Sequence, residues 1–220
     1  RIRVLNGDKI IPASATLTFG NGNFRIESNM VVTNYGNLTF PGRITSANAN
    51  STWINEAGAS VEVGYDIVAS GILVANATNN TVRYSRAAGQ NIKTPSDSSY
   101  HHLEVAGSVS KTLVAPLTIL GNLTITCPLN TNENAIEFQG NYANTSVMNG
   151  DSSIVSLTGT GDQSISNPAG ETIYSLTINK PSGSLILANN LTVTDTLRMY
   201  GGNILCGSSI LTLGKGAAGT

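Results

Sequence analysis

Gln90-Asn-Ile92, Tyr100-His-His-Leu103-Glu-Val105, Leu117-Thr-Ile119 and Leu123-Thr-Ile125 return later in the chain as Gln163-Ser-Ile165, Ile173-Tyr-Ser-Leu176-Thr-Ile178, Leu191-Thr-Val193 and Leu197-Arg-Met199. The first half of this unit recurs at an offset of 73 residues and the second half at 74. A register held over four short apolar segments marks an internal repeat. Repeats of this kind report stacked architectures, in which each unit buries the next.

The segments are strands by their period. Leu17-Thr-Phe19, Leu38-Thr-Phe40, Leu117-Thr-Ile119, Leu123-Thr-Ile125, Leu176-Thr-Ile178, Leu191-Thr-Val193 and Leu211-Thr-Leu213 each send two apolar side chains one way and a threonine the other. No stretch of a dozen residues keeps the spacing of an apolar helical face. Between the strands lie Gly20-Asn-Gly-Asn23, Asn34-Tyr-Gly-Asn37, Asn76-Ala-Thr-Asn-Asn80, Asn130-Thr-Asn-Glu-Asn134 and Gly201-Gly-Asn203, rich in the two residues that best tolerate sharp corners. The chain therefore turns every few residues along its whole length.

Two all-β architectures fit, a right-handed parallel β-helix and a Greek-key sandwich, the latter in tandem for a chain of this size. The helix is favoured because the only tryptophan, Trp53, lies outside the repeat, the strands are uniformly short, and corner loops of a solenoid absorb a one-residue slip in repeat length. At about 22 residues per coil, the 220 residues make roughly ten coils, a rod of about 50 Å at the spacing of β-strands. We read residues 1–220 as one continuous solenoid: irregular coils over 1–81, a first copy over 82–154 and a second over 155–220. The tail Gly214-Lys-Gly-Ala-Ala-Gly-Thr220 reads as the start of a further turn, so the chain is expected to be part of a longer protein or assembly.

Charged residues are 11% of the total, with twelve basic against thirteen acidic, while Asn, Thr, Ser and Gly supply the polar surface. That balance leaves no basic footprint for nucleic acid. No apolar run is long enough for a transmembrane segment. Cys127 and Cys206 are too few for a disulfide framework, and their different places in the repeat favour packing roles over a mutual bridge.

The run Val82-Arg-Tyr-Ser-Arg-Ala-Ala-Gly-Gln-Asn-Ile92, then Tyr100-His-His-Leu103-Glu-Val-Ala-Gly107, Lys111-Thr-Leu113 and Leu120-Gly-Asn-Leu-Thr-Ile125, resembles the degenerate repeats of large secreted and surface proteins of Bacteroidetes. The resemblance spans about residues 60 to 214. In the second copy Val155-Ser-Leu-Thr-Gly-Thr-Gly-Asp-Gln-Ser-Ile165 keeps the Gln-x-Ile core, but Asp195 replaces Gly121 and the lysine of Lys111-Thr-Leu113 is missing from its place. It implies an exported, adhesin-like chain of the cell surface, often closed by a C-terminal sorting domain, which is not visible in this sequence.

Candidate chemistry is sparse. His101-His102 is the most metal-like pair. At the 73-residue offset it meets Tyr174 and Ser175, and neighbours on a strand point to opposite faces, so we expect a structural or solvated role and no metal or other cofactor. Asp66, Asp97, Glu104, Glu133, Glu137, Asp151, Asp162, Glu171 and Asp195 are dispersed, with no paired carboxylates on one strand to serve a polysaccharide lyase or hydrolase. The threonine pairs at 16/18, 124/126, 158/160 and 192/194 are too unevenly spaced to line one ice-binding face. Asn-x-Ser/Thr sequons occur at Asn37, Asn50, Asn76, Asn79, Asn122, Asn144 and Asn190, and Asp195-Thr196-Leu197 resembles the O-glycosylation site of Bacteroidetes, with Thr196 as acceptor.

The expectation is a non-enzymatic, extracellular or cell-surface structural protein, a stalk, adhesin segment or filament subunit. It would pair end to end with itself or run on into further repeats, with surface glycans as further partners. The alternative is a carbohydrate-binding or polysaccharide-degrading β-helix.

Overall fold

Leu38-Thr-Phe40 needs neighbours above and below for its backbone and an apolar interior on one side only, and winding the chain supplies both. The computed structural model describes residues 2–214 and the backbone of 218 and 219. All of its regular structure is β, and every ladder is parallel. The architecture is a β-solenoid, and the sandwich alternative falls because among the described residues no antiparallel pair joins the strands.

Each turn visits three ladders in the same order. The first ladder, interrupted twice, stacks Ile2–Val4, Phe24–Ile26 and Ile44–Ser46 and touches Ile67; it resumes as Gln90–Ile92, Lys111–Leu113, Leu129–Asn130 and Met148–Asn149, and again as residues 171–173, 191–193 and Leu211–Leu213. The second begins Lys9–Ile11, Val31–Asn34, Thr52–Asn55, Ile72–Val74. A bridge from Ala75 to Tyr100 carries it into Ser99–Tyr100, Leu117–Ile119, Ile136–Phe138, Ile154–Leu157 and residues 175–178 and 196–199. The third runs from Thr16–Thr18 through Asn37–Phe40, Ser60–Val63, Thr81–Tyr84, His102–Val105, Leu123–Ile125, Tyr142–Asn144 and Gln163–Ser166 to residues 185–187 and 203–205. From Ile2 to Leu211 the chain completes ten turns of 18 to 23 residues.

Residues 2–81 contain no copy of the repeat motif, yet they follow this path as regularly as the rest. Their core is aromatic. Trp53, fully buried, meets Phe40 edge to face at 5.8 Å and Phe24 at 6.1 Å, contacts worth about 0.5–1.5 kcal/mol each beyond the area they bury. On the second ladder Asn34 and Asn55 point inward and stack, Asn34 Nδ2 donating to Asn55 Oδ1 at 2.8 Å. Their remaining bonds satisfy corner and third-ladder backbone, which lets amides stand where later turns place Tyr100, Ile119 and Phe138.

The sequence repeat does not repeat the position on the solenoid. Gln90 lies on the first ladder and Gln163 on the third; Leu103 and Val105 lie on the third, Leu176 and Ile178 on the second; Leu117 and Ile119 lie on the second, Leu191 and Val193 on the first. The offset amounts to three turns and two sides, so the second copy is displaced around the axis by one side. Three sides built alike from inward apolar and outward polar residues accept the same motif equally.

Candidate functional site

Two buried polar stations hold the wide corners that precede Gln90 and Gln163. Gln163 Nε2 donates to the carbonyls of Phe138 at 2.9 Å and Gly140 at 2.7 Å, and its Oε1 accepts the Gly159 N–H at 3.0 Å. Gln90 makes the matching set, with Nε2 on the carbonyls of Val63 and Tyr65 and Oε1 on the Arg86 N–H. A buried lysine closes each station. Lys111 Nζ donates to the carbonyls of Val109, Arg86 and Ala88, and Lys180 Nζ to those of Gly159 and Gly161 and to Gln163 Oε1 at 2.6 Å. Arg86 and Ala88 are the residues 73 before Gly159 and Gly161. The missing lysine is therefore a correction to the sequence reading: ladder register puts Leu185 opposite Gln163 where Lys111 stands opposite Gln90, but Lys180 reaches the same cage from the corner before. Burial lowers the pKa of both ammonium groups; Cys127 opposes this at Lys111 and Asp162 at Lys180.

The histidines require another correction. His101 is not a strand residue facing away from His102; it is the whole corner between the second and third ladders, and the two rings meet edge to face at 4.3 Å. His102 Nδ1 accepts the Asn122 N–H at 2.8 Å, so it acts as a neutral ring. Burial lowers both pKa values, with His102 adding to the effect at His101 and Glu104 opposing it at His102. Gly121 makes room for the pair, since a Cβ there would lie 2.5 Å from His102 Nδ1 and 2.7 Å from His101 Nδ1. Among the described residues no group of three His, Cys, Asp or Glu side chains is placed to hold a metal ion.

The acidic residues are less dispersed in space than in sequence. Arg83 stands between Glu62 and Glu104 on the outer surface of the third ladder, 2.7 Å from Glu104 and 3.6 Å from Glu62. The signal was available: 62, 83 and 104 are 21 residues apart, one turn each. The row lies in an open groove of about 310 Å³ that Thr39, Ser60 and Thr81 also line. Glu171 instead faces inward, its Oε2 accepting from Tyr142 Oη at 2.9 Å, Asn144 Nδ2 at 2.8 Å and Asn167 Nδ2 at 3.1 Å. Burial, then Glu171, raises the Tyr142 pKa well above its ordinary value.

That cluster removes one glycosylation candidate. Asn144 is buried, its amide nitrogen committed to Glu171 and Tyr142, and no glycan fits there in the folded chain. Asn37, Asn50, Asn76, Asn79, Asn122 and Asn190 are exposed, and Thr196 is half-buried, its hydroxyl donating to Asp195 at 2.8 Å. Several corner asparagines have a structural task that explains their abundance. Asn122 Oδ1 accepts the Asn141 N–H of the next turn, Asn141 Oδ1 that of Ser164, and Asn190 Oδ1 that of Ile210. The threonine pairs do not line one face: 16, 18 and 124 lie on the third ladder, 158 and 160 in a corner, and 192 on the first. Cys127 is buried and Cys206 half-buried, and both are free.

Comparison with protein-family models, curated proteins and solved structures finds no match. Among the described residues no helix is long and apolar enough to cross a membrane.

Proposed function

We propose that the chain is a non-enzymatic, extracellular or cell-surface structural segment, a stalk, adhesin-like arm or filament subunit of the kind its repeat motif resembles. The observation that carries this reading is the investment of its buried polar chemistry in corners: Gln90, Lys111, Gln163 and Lys180 all hold backbone in place. The outward rows are rich in Ser, Thr and Asn, a hydrated surface with few charges. At the first turn Ile2, Leu5, Ile10 and Leu17 are exposed beside strands paired on one side only, which suits end-to-end association with another copy or with further repeats.

A second reading, a carbohydrate-binding or polysaccharide-degrading β-helix, draws on the groove over Glu62, Arg83 and Glu104. Electron micrographs of the purified chain across a concentration series, with a reducing-sugar assay on acidic and neutral polysaccharides, separate the two. Rods that lengthen with concentration and no sugar release are expected; single particles at every concentration together with sugar release would overturn the structural reading.

A further inference from the structure

Charge is distributed unevenly along the solenoid. Residues 2–93 hold seven Lys or Arg and five Asp or Glu, and residues 94–214 hold three and eight. Lys111, Lys180 and Glu171 of the second stretch are buried, so its outer surface carries Arg198 against seven carboxylates. An anionic partner is thus repelled by the later turns and admitted by the earlier ones.

Within the earlier turns most arginines are already matched: Arg3 and Arg25 with Glu27, and Arg83 with Glu62 and Glu104. Two are less committed, and both lie against one ring. The guanidinium carbon of Arg86 is 4.2 Å from the Tyr65 ring centre and that of Arg43 is 5.2 Å away. Arg43 makes only a long contact to Asp66, at 3.7 Å. Arg86 meets no carboxylate; its Nη1 donates to the Gly89 carbonyl and its Nε is buried without a partner. Tyr65, at 36% exposure, forms the wall between two open clefts, one of about 370 Å³ that reaches Arg86 and one of about 400 Å³ that reaches Arg43. From inside, Gln90 Nε2 holds the Tyr65 carbonyl, so the ring is anchored to the wide-corner station.

We propose that the row Arg43, Tyr65, Arg86 is a binding site for an acidic glycan bearing carboxylate or sulfate groups. A guanidinium presents paired N–H donors that match such oxyanions, and stacking on a fixed aromatic ring lowers the ordering cost of binding. The arginines belong to the turns before and after Tyr65, about 10 Å apart along the axis at two strand spacings. A polymer lying along the rod therefore meets both, while a small anion meets one, and the linked contacts reinforce each other. The Tyr65 and Ser85 hydroxyls beside the row suit the sugar hydroxyls. This inference rests on the extracellular reading only in placing glycans within reach; it is independent of filament formation.

The test is calorimetric titration of the full chain with polygalacturonate, dextran sulfate and neutral dextran. Binding to at least one acidic polymer at low salt, weakened by added salt, and no binding to neutral dextran are expected. Arg43→Gln and Arg86→Gln should each weaken it about tenfold, while Arg198→Gln should leave it unchanged. The preference between the two polymers tells carboxylate from sulfate. The proposal is overturned if the parent chain binds neither acidic polymer, binds neutral dextran equally well, or binds as tightly after Arg43→Gln and Arg86→Gln combined. Melting curves verify folding, and should Arg86→Gln unfold the chain, the more exposed Arg43→Gln decides alone. Failure here with rods intact in micrographs sinks the site and not the structural reading.

Discussion

The corner before Gln90 and the corner before Gln163 are each held by a glutamine amide and a caged ammonium but built from different residues. In the first, Arg86 and Ala88 offer their carbonyls to Lys111, which sits on the following strand; in the second, Gly159 and Gly161 offer theirs to Lys180, which sits in the following corner. What is kept between copies is a cage of acceptors with an ammonium in it. The position of the lysine in the sequence is free, because a long side chain reaches one point from more than one place along the backbone.

Breaking that cage at its amide should give the largest effect. Gln163→Leu strands two carbonyls, one N–H and one contact of Lys180, and is expected to cost roughly 3–5 kcal/mol. Gln90→Leu, which leaves its lysine's three carbonyl bonds intact, should cost about 2–3 kcal/mol. Chemical denaturation of the two variants measures the difference, and equal losses would dissolve the distinction between stations.

Next in size is a steric contrast. A Cβ on Gly159 would lie 2.0 Å from the Gln139 carbonyl oxygen, so Gly159→Ala should destabilise by about 1–3 kcal/mol or more through forced corner displacement. Arg86, the residue 73 earlier, already carries a side chain that leaves the corner toward the surface, and Arg86→Ala should cost only about 0.5–1 kcal/mol, through loss of its stacking on Tyr65. The same denaturation curves check both.

Coupling is a finer probe. Lys180 touches Gln163 directly, whereas the bonds of Lys111 go to main-chain carbonyls. A double-mutant cycle of Gln163→Leu with Lys180→Met should show a coupling energy of about 1 kcal/mol or more, against near additivity for Gln90→Leu with Lys111→Met.

The smallest effect concerns pH. His101 and His102 exist only in the first copy, and both have pKa values lowered by burial. Lowered values mean that stability is whole above the ordinary histidine range and declines as pH falls through the folded-state values, because protonation favours the unfolded chain. Replacing the pair by Tyr and Ser, the residues 73 later, should flatten the melting temperature between pH 7 and pH 5. An unchanged slope would show that the loss arises elsewhere.

The strands and their stacking were legible because period two survives in short segments: Leu38, Leu117, Leu123 and Leu176 all face the core as Leu-Thr-apolar predicts. Leu17 and Leu213 are exceptions, exposed on the first and last of the described turns. Sequence offset failed where it was asked for position around the axis. It counts residues, while the side reached depends on corner lengths that let turns range from 18 to 23. For the same reason the Glu62, Arg83, Glu104 row was missed until turn length was known, and His101 was assigned to a strand when it forms a one-residue corner. Asn144 looked like any other sequon, since nothing local reveals that Glu171, 27 residues on, closes over it.

The displacement of the second copy by one side gives the rod an azimuth as well as a length. Copies that kept the same side would print their surface as a straight stripe and meet partners from one direction. Here matching outer residues point a third of a circumference apart, so lengthening by such units would wind any surface feature around the shaft like a screw thread. A rod of this design could be grasped from several directions without changing the motif that builds it.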